Sequence, residues 1–321
     1  MVRNIIVTGA TGMIGRPLSR ALIERGDRVT VFSRHPETAR ERVPGAVAYV
    51  RWSLDDGDWG WVRVVEGADA VVNLAGEDLF AGGPLTEVRL TAGAEGRVIG
   101  TRRLVDSLAE ACARVPSTSA PRMFVNASST GIYGFTNLSN EEVTENTPIP
   151  RADLWSRDTE RAEVEAYRAE SFGVRAVALR IGVVLGREGG TLAAQVPQFR
   201  SGWGGPTPPG NQWFPWIHIA DVVGLVLFVL DRRHVHGPLN AAAPGIVTNA
   251  AYAAALAKVL NVEANTMPTP EALRARLGLV ADLVMHMRRV VPKRALQLGY
   301  QFQFPTLALA LEDILGGGPS S

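Results

Sequence analysis

Apolar, β-branched runs recur along the first part of the chain, with helical stretches between them. The runs Asn4–Thr8, Arg28–Phe32, Ala46–Arg51, Ala70–Leu74, Arg122–Ala127 and Arg175–Ile181 predict strands. Val71-Val72-Asn73-Leu74 is apolar with little alternation, which suits a strand covered on both faces. Helical spacing of apolar positions predicts helices over Ile14–Arg25, Glu87–Arg114 and Ser156–Phe172. Strands alternating with helices imply an α/β fold with a doubly wound parallel sheet. Right-handed crossovers then bring the C-terminal ends of the strands to one edge, where a ligand is expected.

After Leu185 the texture changes. Residues 186 to 216 are rich in Gly, Pro and Trp and read as loop with aromatic anchors. A helix at Asp221–Asp231 and a strand at Pro238–Ala241 return to the main sheet. From Thr248 the pattern is that of a small, mostly helical lobe, with Asn249 suited to cap its first helix. The tail Gly316–Ser321 reads as frayed. The expected division is a main domain over 1–185, completed by about 212–241, and a substrate-binding lobe from 186–211 and 242–321.

Composition narrows the class. The chain has 321 residues, 46% hydrophobic and 20% charged, the balance of an ordinary globular protein. A formal net charge of +1 gives no reason to expect nucleic acid or an anionic membrane as partner. The single cysteine, Cys112, lies in a helical pattern between Ala111 and Ala113, reads as packing, and cannot form a disulfide within the chain. No Cys/His cluster points to a metal. The N-terminus runs straight into a strand without an export signal, and no apolar run is long enough to span a bilayer. A reducing cytoplasm is the expected setting.

Val7-Thr8-Gly9-Ala10-Thr11-Gly12-Met13-Ile14-Gly15 joins the first strand to the first helix. Glycines there permit a sharp turn and close approach of a ligand, and the helix start offers unpaired N–H groups to a diphosphate. The strand before and helix after are the context that makes this a dinucleotide site of the Rossmann type. Gly9, Thr11, Gly12, Met13, Ile14 and Gly15 are the residues expected to hold it. An acid at the end of the second strand would select a free ribose and repel a 2′-phosphate. This chain has Ser33-Arg34-His35 instead. Arg34 brings a planar cation and Ser33 a hydroxyl donor, so NADP(H) is expected over NAD(H).

Further segments match one group: Asn73-Leu74-Ala75-Gly76-Glu77, Ser128-Ser129-Thr130-Gly131-Ile132-Tyr133-Gly134, Arg180-Ile181-Gly182-Val183-Val184-Leu185-Gly186, Trp213-Phe214-Pro215-Trp216-Ile217-His218-Ile219, Pro292-Lys293-Arg294 and Gly299-Tyr300-Gln301-Phe302. Together they resemble the extended short-chain dehydrogenase/reductase superfamily, and within it the atypical branch of sugar-nucleotide-epimerase-like "epimerase family" proteins. The resemblance covers about residues 4 to 315. It implies a Rossmann domain with a substrate lobe, and hydride transfer between nicotinamide and a carbonyl or alcohol carbon. It adds Leu74, Ala75, Gly76, Glu77 and Ser128 to the cofactor set, and Ser129 as the catalytic serine.

The superfamily also uses a Tyr-x-x-x-Lys pair, because a tyrosine titrating near 10 needs a neighbouring cation to work at pH 7. Counting back from Arg180 puts these positions at Trp155 and Thr159, and a one-residue slip gives Leu154 and Asp158. The segment Asp153–Arg161 holds neither Tyr nor Lys, a departure the atypical branch shares. Tyr133 is the first candidate to stand in, against a packing role for a Tyr-Gly at a strand exit. His218 is the second, against a buried histidine that fixes a loop. Asp221 reads as a helix cap. Lys293 and Arg294 either tie the small lobe down or meet an anionic substrate, and the structural role is favoured. Trp213 and Trp216, with Trp203, Phe214 and His218, either wall a substrate pocket or form local core.

The expected function is an NADP(H)-dependent oxidoreductase acting on a carbonyl or sugar-like small molecule, with Ser129 polarising the substrate oxygen and Tyr133, water or a ribose hydroxyl relaying the proton. Two alternatives stand beside it. One is a non-catalytic NADPH-binding sensor. The other is epimerisation or non-redox chemistry on the same fold. The oligomeric state is not readable from the sequence; homodimers through the two long helices are common for such folds, which is analogy alone.

Overall fold

The computed structural model describes residues 2–54, 60–76, 83–116, 121–135, 140–264 and 266–316. In chain order the strands are β1 (Asn4–Thr8), β2 (Arg28–Ser33), β3 (Ala48–Arg51), β4 (Ala70–Asn73), β5 (Met123–Ser129), β6 (Arg175–Ile181), β7 (Val183–Leu185), β8 (Trp213–Phe214), β9 (Trp216–His218), β10 (Gly237–Ala241) and β11 (Val247–Thr248). The α-helices are α1 (Gly15–Glu24), α2 (Pro36–Arg42), α3 (Val62–Val65), α4 (Glu87–Arg114), α5 (Leu154–Tyr167), α6 (Gly190–Arg200), α7 (Ile219–Asp231), α8 (Asn249–Leu260), α9 (Pro270–Leu277), α10 (Val280–Met285), α11 (Lys293–Gln297) and α12 (Leu307–Leu315).

Seven strands form one parallel sheet in the order β10-β6-β5-β4-β1-β2-β3. Thr8 pairs with both Phe32 and Asn73, and Ser129 pairs with Ile181. All strand C-termini therefore meet one edge. Alternate side chains go to opposite faces. Val7, Val31, Val72 and Val125 pack against Leu18 and Leu22 of α1 and Leu225 and Val226 of α7. Ile6, Val71 and Phe124 pack on the other face against Leu104 and Leu108 of α4. A third core, with Leu192, Phe199, Trp216, Tyr252, Leu256 and Leu311, joins α6, α8 and α12 in the second lobe.

Four local expectations change. Residues 186–216 are not all loop: α6 forms because Leu192, Val196 and Phe199 make a helical apolar stripe, although Pro197 lies inside it. Thr248, not Asn249, caps α8 by accepting from the Ala251 N–H, while Asn249 accepts from the Thr207 N–H. Asp221 is not the cap of α7; His218 is, through its Nδ1 and the Ala220 N–H. The third predicted helix splits into α5 and a 3₁₀ turn over Arg168–Phe172, closed by Gly173 in the left-handed region. Among the described residues no helix is long and apolar enough to cross a membrane.

Candidate active site

The glycine turn is tightly closed. Gly9 has φ +64°, and a Cβ there would stand 2.5 Å from the Leu74 carbonyl oxygen. A Cβ on Gly15 would stand 2.1 Å from the Gly9 carbonyl oxygen, so α1 starts directly against the turn. No side chain caps α1. A cleft of about 510 Å³ opens over this turn. Gly9, Thr11 and Gly12 line its floor, with Leu74, Ala75 and Gly76 after β4. Gly15 is buried beneath the turn, Ile14 packs on the core, and Met13 is held against Gly186 and Gly190 of the other lobe. Arg16 pairs with Glu188 beside it at 3.1 Å. Glu77 lies outside the described residues.

One end of the cleft is cationic. Ser33, Arg34, His35, Thr38 and Arg42 line it. Thr38 and Arg42 stand one turn apart on one face of α2, and Arg34 comes from the corner just before that helix, so both guanidinium-bearing residues reach the same end of the cleft. None of the described lining residues is Asp or Glu, and neither arginine has a carboxylate within salt-bridge distance among the described residues. Such a donor set suits a phosphate. Ser33 holds the corner, its Oγ accepting from the His35 N–H at 3.1 Å.

Other lining residues escape a sequence reading. Trp52, Ser53 and Leu54 follow β3, and Gly93, Gly96, Arg97 and Gly100 come from α4. A Cβ on Gly100 would stand 3.4 Å from the Trp52 ring. Glycine costs about 1 kcal/mol inside a helix, so three of them on one face of α4 are the signal that something must approach closely. Beneath the cleft, Thr8 donates to Asn73 Oδ1 at 2.6 Å, and Asn73 Nδ2 donates to Asn126 at 2.7 Å. The Ala75 N–H points back at Thr8 Oγ1 at 3.2 Å, which fixes the backbone after β4.

The two serines at the end of β5 face opposite ways. Ser129 Oγ accepts from the Gly131 N–H at 3.0 Å, which leaves its own proton free to donate. Ser128 points toward α5 and donates to Glu163 at 2.5 Å. Glu163 receives two bonds from Arg180, at 2.9 and 2.8 Å, as a buried ion pair. Arg180 also donates to Tyr133 Oη at 2.9 Å, and Tyr133 donates to Asn240 at 2.7 Å. Ser128 thus belongs to a buried lock between α5, β6 and β10 rather than to the cleft wall.

That lock engages the Tyr133 hydroxyl on both sides, and Tyr133 is not among the described residues lining the cleft. It is 1% exposed, and burial pushes its hydroxyl up to about 12, against the opposing pull of Arg180. His218 is also placed structurally: it is buried, stacked at 3.8 Å on Phe304, and its Nε2 faces Asp313 at 3.3 Å. Burial lowers its pKa more than Asp313 and Asp221 raise it. Trp216 is fully buried and donates to the Gly245 carbonyl, so it is core and not a pocket wall. Trp213 lies half-buried under the Arg289 guanidinium, 5.0 Å from it. Phe214 stacks on Tyr252, and Trp203 stands 75% exposed. Arg294 ties the lobe down by donating to the Pro238 carbonyl, while Lys293 is exposed. Cys112 is half-buried, and burial raises its thiol.

The expected Tyr and Lys positions fall on α5 as Trp155 and Thr159. The chain has only two lysines, Lys258 and Lys293, neither of them on that helix. The other four tyrosines are engaged or buried elsewhere: Tyr49 donates to Val43, Tyr252 to Gln195 and Tyr300 to Asp221, and the Tyr167 hydroxyl is buried. Among the described residues no group of three or more His, Cys, Asp or Glu is arranged to hold a metal.

Comparison with known proteins agrees with this geometry. The family model described as NAD dependent epimerase/dehydratase family matches residues 5–242, and one described as a domain of unknown function (DUF1731) matches residues 270–314. The chain is 35% identical over 315 residues to the human epimerase family protein SDR39U1, covering 97% of this chain and 99% of that one. It is 30% identical over 314 residues to the epimerase family protein SH2119 of Staphylococcus haemolyticus, covering 98% and 99%. The crystal structure of human SDR39U1 (isoform 2) with NADPH superposes with a TM-score of 0.82 at 31% identity, covering 98% and 99%. UDP-glucose 4-epimerase of Thermotoga maritima with UDP-glucose superposes at 0.76, covering 96% and 97%; at 19% identity this speaks for the fold alone.

Proposed function

We propose a function from a settled premise: the chain belongs to the NAD-dependent epimerase/dehydratase family. It is an NADP(H)-dependent oxidoreductase of the atypical short-chain type, acting on a carbonyl or sugar-like small molecule. The observation that carries this reading is the cleft, with its closed glycine turn at one point and Arg34 and Arg42, free of carboxylates, at another. The presence of NADPH in the human relative's structure supports it.

Each residue then has a task. Gly9 to Gly12 bring backbone against a diphosphate at the start of α1. Arg34 and Arg42 hold a 2′-phosphate that NAD(H) lacks. Leu74, Ala75 and Gly76, stiffened by Thr8 and Asn73, flank the path along the strand ends toward β5. A nicotinamide bound there supplies or receives a hydride. Ser129 donates a hydrogen bond to the substrate oxygen, with its Oγ already oriented by the Gly131 N–H.

A paired fluorescence titration with NADPH and NADH tests the cofactor. NADPH is expected to bind in the micromolar range and NADH far more weakly. Arg34→Ala should weaken NADPH about tenfold to a hundredfold, the worth of one charge-assisted bond, and leave NADH unchanged. Equal loss for both cofactors would remove Arg34 from the phosphate site, and no binding of either would end the oxidoreductase reading. A second reading, a non-catalytic NADPH sensor, is favoured by Trp155 and Thr159 standing where an acid–base pair is expected. Transfer of deuterium from C4-labelled NADPH to any product would sink it. Epimerisation needs hydride and proton steps in both directions and fits the missing pair less well.

A further inference from the structure

We propose that the substrate is a planar, conjugated carbonyl compound, of the quinone or enone class, received between Ser129 and an aromatic shelf made by Phe135 and Trp155. This rests on the oxidoreductase reading and narrows its substrate.

The shelf is built beside the serine. A Cβ on Gly131 would stand 3.2 Å from Ser129 Oγ and 3.9 Å from the Phe135 ring, so only a glycine separates the two. Phe135 meets Trp155 edge to face, with centroids 6.3 Å apart. Both rings are half-buried. Asp153 holds both to their places: one carboxylate oxygen accepts from the Phe135 N–H at 3.3 Å, the other from the Ser156 N–H at the start of α5. Behind Trp155 lies an apolar wall with Leu85 and Val280, shared between the two lobes. The Leu85 backbone is pinned to the second lobe by bonds to Leu277 and Leu279. The Phe135 and Trp155 rings offer apolar surface on which a flat conjugated ring gains contact.

The chemistry points the same way. Hydride addition to an isolated ketone leaves an alkoxide, which needs an acid at hand. Phe135, Trp155 and Gly131 carry no group that gives up a proton near neutrality, and Tyr133 is locked in the core with its hydroxyl raised to about 12. A conjugated acceptor needs less help. The hydride forms a new bond to the conjugated system, the π electrons move onto the carbonyl oxygen, and the charge is delocalised as in a phenolate, whose conjugate acid titrates near 10. Ser129 holds that oxygen while water supplies the proton. The substrate gains two electrons and two hydrogens, and the reduced nicotinamide is oxidised.

The test uses the full chain with NADPH and either 9,10-phenanthrenequinone or cyclohexanone. It follows absorbance at 340 nm, and quinone binding by calorimetry with NADP⁺ present. The quinone should be reduced saturably and cyclohexanone should not. Trp155→Leu and Phe135→Leu keep apolar volume but remove a ring. Each should raise the quinone KM and Kd about tenfold, as loss of an aromatic contact implies, while the NADPH Kd stays put; Trp155→Phe should restore most of the affinity. Cyclohexanone reduced as fast as quinone, or quinone affinity indifferent to both leucine variants, overturns the proposal. Tight NADPH binding with neither quinone binding nor turnover overturns the substrate class alone. Absence of NADPH binding overturns the oxidoreductase reading beneath it.

Discussion

Tyr133 shows how one side chain decides between chemistry and architecture. It follows the serine cluster by four residues, so proximity in sequence makes it a natural acid. Its hydroxyl is instead spent on Asn240 and Arg180. Tyr133→Phe should therefore cost stability, about 1–3 kcal/mol for buried partners left unpaired, and leave the hydride-transfer rate nearly intact in protein that remains folded. Thermal melts beside NADPH turnover check this; an unchanged melt with lost turnover would return the tyrosine to catalysis. The same contrast separates the legible from the illegible parts of the site. Gly9, Gly12, Ser33 and Arg34 are readable because one local turn and one strand end place them. Arg42, Trp52 and Arg97 reach the cleft only because the sheet order brings β2, β3 and α4 together, and no local pattern carries that information.

At the scale of elements, the six strands and three long helices read from periodicity all form, with ends shifted by a few residues. Buried parallel strands announce themselves because nothing polar interrupts them. The errors sit where a tertiary partner overrides a local rule. Asp221 has the look of a cap, yet it is fully buried and accepts from the backbone N–H of Gln303 at 2.8 Å and Phe304 at 3.0 Å, and from the Tyr300 hydroxyl at 3.1 Å. It fastens the segment before α12 to α7. A cap satisfies neighbours three residues away, whereas these partners lie about eighty positions downstream, beyond any local signal. Asp221→Asn keeps the shape but turns one acceptor into a donor. It should lower stability by about 1–3 kcal/mol and speed hydrogen exchange at residues 300–304 more than in β1. Uniform exchange across both segments would show that Asp221 does not hold the C-terminal segment in particular.

For the molecule as a whole, the joint between main domain and second lobe passes through His218. It ends β9, caps α7, pairs in register with Leu185 just before the loop around Met13, and faces Asp313 on α12. Burial lowers its pKa in the folded protein below the ordinary value of 6.5, although Asp313 and Asp221 pull the other way. The unfolded chain then binds more protons than the folded one as pH falls through that ordinary value, and stability drops with it. Above about pH 7 both states leave the ring neutral and the contribution is flat. The carboxylates whose pKa is lowered by arginine partners, Glu160 and Glu165, lose their contribution only below the ordinary carboxylate range, so they do not confuse the window between pH 5 and 7. His218→Asn retains an oxygen that can accept from the Ala220 N–H but cannot titrate. Its melting temperature should be flatter than that of the unaltered chain across that window, and the gap between the two should narrow as the pH falls. Parallel curves would mean that the histidine is already matched by Asp313, and that the joint between the lobes is indifferent to acid.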